Sequence, residues 1–77
     1  MSEHEPCGYF KLELDAYLKQ HHISKYRLRQ DANLQPTQLQ TYCRGEVQRI
    51  DLAVMARICH ALNCELWDIL HYIKPEA

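Results

Sequence analysis

Between residues 24 and 45 the chain is punctuated four times in quick succession, and the spacing leaves room for only two short helices. Ser24 is a residue that caps helix starts, and Leu28 and Ala32, four apart, supply one buried face for the helix that follows. Asn33 tolerates the left-handed backbone needed in a tight turn. Pro36 suits the first turn of a new helix, where its missing N–H costs nothing. Leu39 and Tyr42 give that helix an apolar stripe, and Gly45 stands where a helix C-terminus favours glycine. The pattern predicts helices over 25–32 and 36–43 across a tight turn. The exposed face of the second is rich in Gln, Thr and Arg, which suits a helix laid in a DNA major groove.

The rest of the chain reads as support for that pair. Residues 1–8 carry no periodicity and hold Pro6 and Gly8, so a flexible leader is expected there, followed by one domain over 9–74 and a tail over 75–77. Phe10, Leu12 and Leu14 alternate with Lys11 and Glu13, which fits either a short strand or the first turn of a helix over about 13–21. In that helix Leu14, Tyr17 and Leu18 face inward. Asp51 caps a fourth helix carrying Leu52, Met55, Ile58, Cys59 and Leu62, and Asn63 ends it. Residues 65–72 read as a last helix with Leu66, Ile69 and Leu70 inward and Trp67 nearby, before Pro75 closes the structured region. The expected fold is all-α: five short helices around one core, with a short N-terminal strand as an option.

Charge supports nucleic acid through its distribution, not its total. The formal net charge is −1, less basic than nucleic-acid-binding domains usually are. Within 25–49, however, Lys25, Arg27, Arg29, Arg44 and Arg49 face only Asp31 and Glu46, a local +3. The remaining four basic and eight acidic residues leave −4 elsewhere. Such asymmetry can orient a protein on phosphates.

Several other functions find little footing. There is no glycine-rich phosphate loop and no nucleophile beside a base, so an enzyme is not expected. No apolar run approaches the roughly 20 residues that span a bilayer, and the charged N-terminus lacks a signal-peptide core. The cytoplasm is therefore expected, with Cys7, Cys43, Cys59 and Cys64 reduced. Cys59-His60-x3-Cys64, His4/Cys7 and His21-His22 lack the paired spacing of structural zinc sites, and Cys59 is more simply a small core residue. Neither metal nor cofactor is expected. A thiol sensor on Cys43, near the end of the second helix, is a minor alternative.

Taken in order, Leu14-x3-Leu18, Ile23-Ser-Lys-Tyr-x-Leu28, Leu34-x-Pro-Thr-x-Leu39, Tyr42-x-Arg-Gly45, Arg49-Ile-Asp-Leu52 and Ile58-Cys-x-Ala-Leu-Asn-Cys64 resemble the Cro and phage-repressor type of helix-turn-helix domain, the XRE family, in its short single-domain bacterial form. The resemblance spans about 12–72 and implies a five-helix, lambda-repressor-like bundle that binds operator DNA as a homodimer. It implies base contacts from Gln35, Thr37, Gln38 and Thr41, and phosphate contacts from Ser24, Lys25, Arg44, Gln48 and Arg49. Arg29 departs from the family, which has a small residue there; it must snorkel, or the helix crossing must widen. The expectation is a cytoplasmic transcriptional regulator, a repressor, on a palindromic operator with half-sites about one helical turn apart. Trp67, His71, Tyr72 and Ile73, with the segment 9–12, are the candidate dimer surface. The alternative is an antitoxin or other interaction module whose partner is a protein.

Overall fold

Residues 7–45 and 47–75 are described by the computed structural model, and their first element is a strand. In chain order the elements are β1 (Tyr9–Leu12), α1 (Leu14–Gln20), α2 (Lys25–Asp31), α3 (Pro36–Arg44), α4 (Leu52–Leu62), a 3₁₀ turn (Leu66–Asp68) and β2 (Leu70–Ile73). The expected five-helix bundle is thus corrected to four α-helices and a two-stranded antiparallel sheet. The correction falls on the last segment. Residues 65–72 form a single 3₁₀ turn and then a strand, with Tyr9, Phe10, Lys11 and Leu12 opposite Ile73, Tyr72, His71 and Leu70. Leu66, Ile69, Leu70 and Ile73 carry helical spacing, but pairing with β1 satisfies the backbone and still buries Ile69 completely, while Leu66, expected inward, stands exposed in the 3₁₀ turn.

The strand option at the N-terminus is the one the chain takes. Period-two alternation puts Phe10, Leu12, Leu70 and Tyr72 on one face of the sheet and Lys11 and His71 on the other. Leu12 is buried over the core, whereas Phe10 and Tyr72 overhang it, their ring centroids 5.5 Å apart. Phe10 is 67% exposed, against the inward position its alternation suggested. The expected leader over 1–8 lies outside the described residues as far as Pro6. Within its remainder Gly8 is buried, and the carbonyl of Cys7 accepts a hydrogen bond from the Tyr72 hydroxyl.

The helices α2, α3 and α4 are bounded by the residues that the sequence marks. The Ser24 hydroxyl accepts from the Arg27 N–H at 3.0 Å, and Asp51 Oδ1 accepts from Ala53 and Val54 at 2.9 and 3.4 Å. Asn33 and Asn63 take left-handed φ values of 54° and 53°, and Gly45 takes 74°. His22, at φ 57°, ends the first helix by the same device, unsignalled by its residue type. After His22, Asn33 and Asn63 the next N–H reaches back to close the helix end: Ile23 to Leu18, Leu34 to Arg29 and Cys64 to Cys59, all within 3.0 Å.

Leu14, Leu18, Leu28, Ile58 and Ile69 form the centre of the core, all below 2% exposed. Two polar ties brace it. Arg57 Nε donates to the Ala32 carbonyl at 2.9 Å, holding α4 against the end of α2. The Tyr42 hydroxyl accepts from the Asp51 N–H at 3.1 Å, holding α3 to the start of α4. The pair α2–α3 is therefore fixed from behind at both ends.

Candidate nucleic-acid interface

The surface of α3 is easiest to understand as four rows at i, i+4 spacing. Leu39 and Cys43 form a buried row, and Gln38 and Tyr42 form a second that runs from half-buried to buried. Pro36, Gln40 and Arg44 make a third, and Thr37 and Thr41 a fourth; all five residues are exposed. The apolar side chains thus occupy one flank, leaving a continuous polar band of Thr, Gln and Arg on the other. Among the described residues, no hydrogen bond or ion pair engages the side chains of Thr37, Gln40, Thr41 or Arg44.

Of the four residues expected at base edges, Thr37 and Thr41 share that outer band, one turn apart. Gln35 is the exposed N-cap of α3, so the helix proper begins at Pro36. Gln38 is held differently. Its side-chain oxygen accepts the backbone N–H of Gln35 at 3.1 Å, which folds the amide back onto the helix start. A Gln three residues after an N-cap is the residue type that reaches back in a capping box, but Gln35 in place of Ser or Thr leaves the sequence signature incomplete. Gln40, which the sequence reading did not single out, stands fully in the outer band.

The residues expected at phosphates lie on both sides of α3. Ser24 is exposed, and its hydroxyl oxygen accepts the Arg27 N–H that caps α2. Lys25 begins α2 and pairs with Asp15 Oδ1 at 3.6 Å, while Lys19 reaches Oδ2 at 3.2 Å. The hydrogen bond from Lys19, ahead of the charges of both lysines, holds the Asp15 carboxyl below its usual pKa. Lys25 is thereby tethered across the α1–α2 corner. Arg44 continues the outer band of α3, so it stands with the expected base-reading residues instead of apart from them. Gln48 and Arg49 are exposed in the connection after Gly45, and Gln48 lines a groove of about 290 Å³ with Phe10, Leu12, Val47, Ile50 and Leu70.

The other cationic side chains of α2 have different roles. Arg27 pairs with Asp31 at 3.5 Å on its own helix. Arg29 is half-buried and lines a surface depression with Gln30, Asn33 and Leu34, and no charged residue is fully buried among the described residues. Two of the thiols, Cys43 and Cys64, are poorly disposed to react. Burial raises the Cys43 pKa, and burial followed by the proximity of Cys59 pushes Cys64 up to about 11, so both stay protonated near neutrality. Among the described residues no three His, Cys, Asp or Glu side chains converge as a metal-binding group. None of the described helices is long and apolar enough to cross a membrane.

Residues 13–75 match the family described as the Cro/C1-type HTH DNA-binding domain. The fold is similar to that in the crystal structure of the transcriptional regulator VanUg (form II), with a TM-score of 0.67 at 20% identity, over 95% of this chain and 99% of that one. No curated protein matches the sequence.

Proposed function

The chain belongs to the Cro/C1-type helix-turn-helix DNA-binding family, and from that premise we propose that it is a cytoplasmic transcriptional regulator, a repressor, that binds an operator as a homodimer. In this reading α3 enters the major groove. Thr37 and Thr41 offer methyl and hydroxyl groups to base edges, with Gln35 at the head of the helix. Lys25, Arg44 and Arg49, with Ser24 and Gln48, take phosphates on either side. The observation that carries the proposal is the outer band of α3: exposed polar side chains, unengaged among the described residues, on a helix fixed from behind by Tyr42. No catalytic step is part of the reading.

Exposed aromatic residues support the homodimer. Phe10 and Tyr72 overhang the sheet and Trp67 is 69% exposed, the kind of anchors that interface centres favour. Of the other expected interface residues, His71 is engaged with Glu13 at 2.6 Å and Ile73 is half-buried opposite Tyr9. The dimer contact is therefore assigned to Phe10, Trp67 and Tyr72. The same aromatics would serve a protein-interaction module such as an antitoxin, the second reading.

Selection from a random double-stranded DNA pool at about physiological salt tests the proposal. An enriched palindrome is expected. No enrichment from folded protein overturns the operator reading and favours the protein partner. Replacing Thr37 and Thr41 with Ala should then relax base preference and leave the salt slope in place. Replacing Lys25 and Arg49 should weaken all sequences alike and flatten the slope. Identical behaviour of the two pairs would refute the division into base and phosphate contacts.

A further inference from the structure

The two glutamines near the head of α3, Gln38 and Gln40, lie two residues apart and have opposite surroundings. An amide reads adenine by accepting from N6 and donating to N7, so it needs both of its groups free and side by side at the groove. Gln38 does not meet that condition. It is half-buried, its row continues into the buried Tyr42, and its oxygen is taken by the Gln35 N–H at 3.1 Å. Gln40 meets it. It is exposed in the middle of the outer band, four residues after Pro36, four before Arg44, and next to Thr41 in sequence, and its amide makes no hydrogen bond among the described residues. Pro36 offers no donor to a base, so the nearest complete amide on that row belongs to Gln40.

We propose that Gln40 is the adenine-reading amide of α3 and that Gln38 is a positioning residue, which holds the helix start in place by capping Gln35. The assignment rests on the reading of α3 as the major-groove helix. Gln38 acts on DNA only through the backbone it fixes, whereas Gln40 acts on one base pair of each half-site.

The test measures competition binding of the selected operator and its single-base variants for the wild-type chain, Gln40→Ala, Gln38→Ala and Gln38→Glu, with thermal unfolding of all four. Wild type should prefer adenine at one half-site position by roughly 5- to 150-fold, the span of a bidentate amide contact. Gln40→Ala should bring that ratio close to one and leave Tm unchanged. Gln38→Ala should keep every base preference and lower Tm by about 2–6 °C, the effect of one exposed capping hydrogen bond in a domain this size. Gln38→Glu retains an accepting oxygen and should restore Tm. An unchanged preference profile for Gln40→Ala overturns the proposal. So does a lost preference in Gln38→Ala at unchanged Tm. If wild type enriches no sequence, the operator reading fails first and this assignment with it; enrichment with an intact Gln40→Ala profile sinks only this assignment.

Discussion

Replacing Gly45 with alanine should be one of the most damaging single-methyl additions available in this fold. Two separate costs meet there. The backbone is left-handed at φ 74°, which a residue with a Cβ adopts at a cost of about 1–2 kcal/mol. The new Cβ would also stand 2.6 Å from the Leu12 carbonyl oxygen, at the end of β1. That contact can be relieved only by moving strand backbone, and overpacking of this kind costs about 1–3 kcal/mol. The lower entropy of the unfolded alanine chain returns about 0.4–1 kcal/mol. The net loss is therefore about 1–4.6 kcal/mol, a substantial part of the roughly 4–12 kcal/mol that a chain of this length commands. With an unfolding entropy of about 0.16 kcal/mol/K, Tm should fall by about 6–29 °C. Gly45→Asn separates the two costs, because asparagine tolerates the left-handed φ but keeps the Cβ. Urea unfolding of both variants should show Gly45→Asn still about 1–3 kcal/mol below wild type. If Gly45→Asn matches wild type, the close approach of β1 to the end of α3 has no energetic weight and the reasoning fails.

Two further outcomes follow from the same structure. Hydrogen bonding from His71, with smaller help from Lys11, lowers the Glu13 pKa, so this pair stabilises the fold above the ordinary glutamate value of about 4.3 and is lost as pH falls through the lower folded value. Glu13→Gln should therefore flatten the acid limb of a urea midpoint against pH curve; an unaltered limb would place the acid sensitivity elsewhere. Arg29→Ala should leave stability within about 0.5 kcal/mol or raise it slightly, because alanine is the better helix former and Arg29 is only half-buried. A loss above about 2 kcal/mol in thermal unfolding would show that the arginine stem is part of the packing.

What could be read in advance was whatever the chain decides locally. Ser24, Asn33, Pro36, Gly45, Asp51 and Asn63 mark helix boundaries through their own backbone preferences, and all six occupy the positions their chemistry assigns. The apolar stripes of α1 to α4 likewise depend on neighbours three and four residues away, except that Leu52, expected at the head of the α4 stripe, is 76% exposed in the first turn. The C-terminal segment was misread because its conformation is set by a partner some 60 residues earlier. Leu66, Ile69, Leu70 and Ile73 fit helical spacing as well as they fit a turn and strand, and only the pairing with Tyr9–Leu12 separates the two. The candidate interface divides in the same way. The polar face of α3 follows from its apolar face, but the capture of Gln38 by the Gln35 N–H and the tether of Lys25 to Asp15 are rotamer choices. Residue type alone does not determine them.

The sheet also bears on how long the folded state lasts. The four helices and their turns close over short loops, so their contacts can form early in folding. Tyr9–Leu12 and Leu70–Ile73 meet only after a loop of nearly the whole chain has closed, and so short a pairing repays that entropy only once the helical core stands ready to receive Leu12 and Ile69. The strands thus act as a clasp fastened last. Weakening them should leave the folding rate nearly unchanged and shorten the lifetime of the folded protein, and with it the time α3 stays supported against whatever it binds.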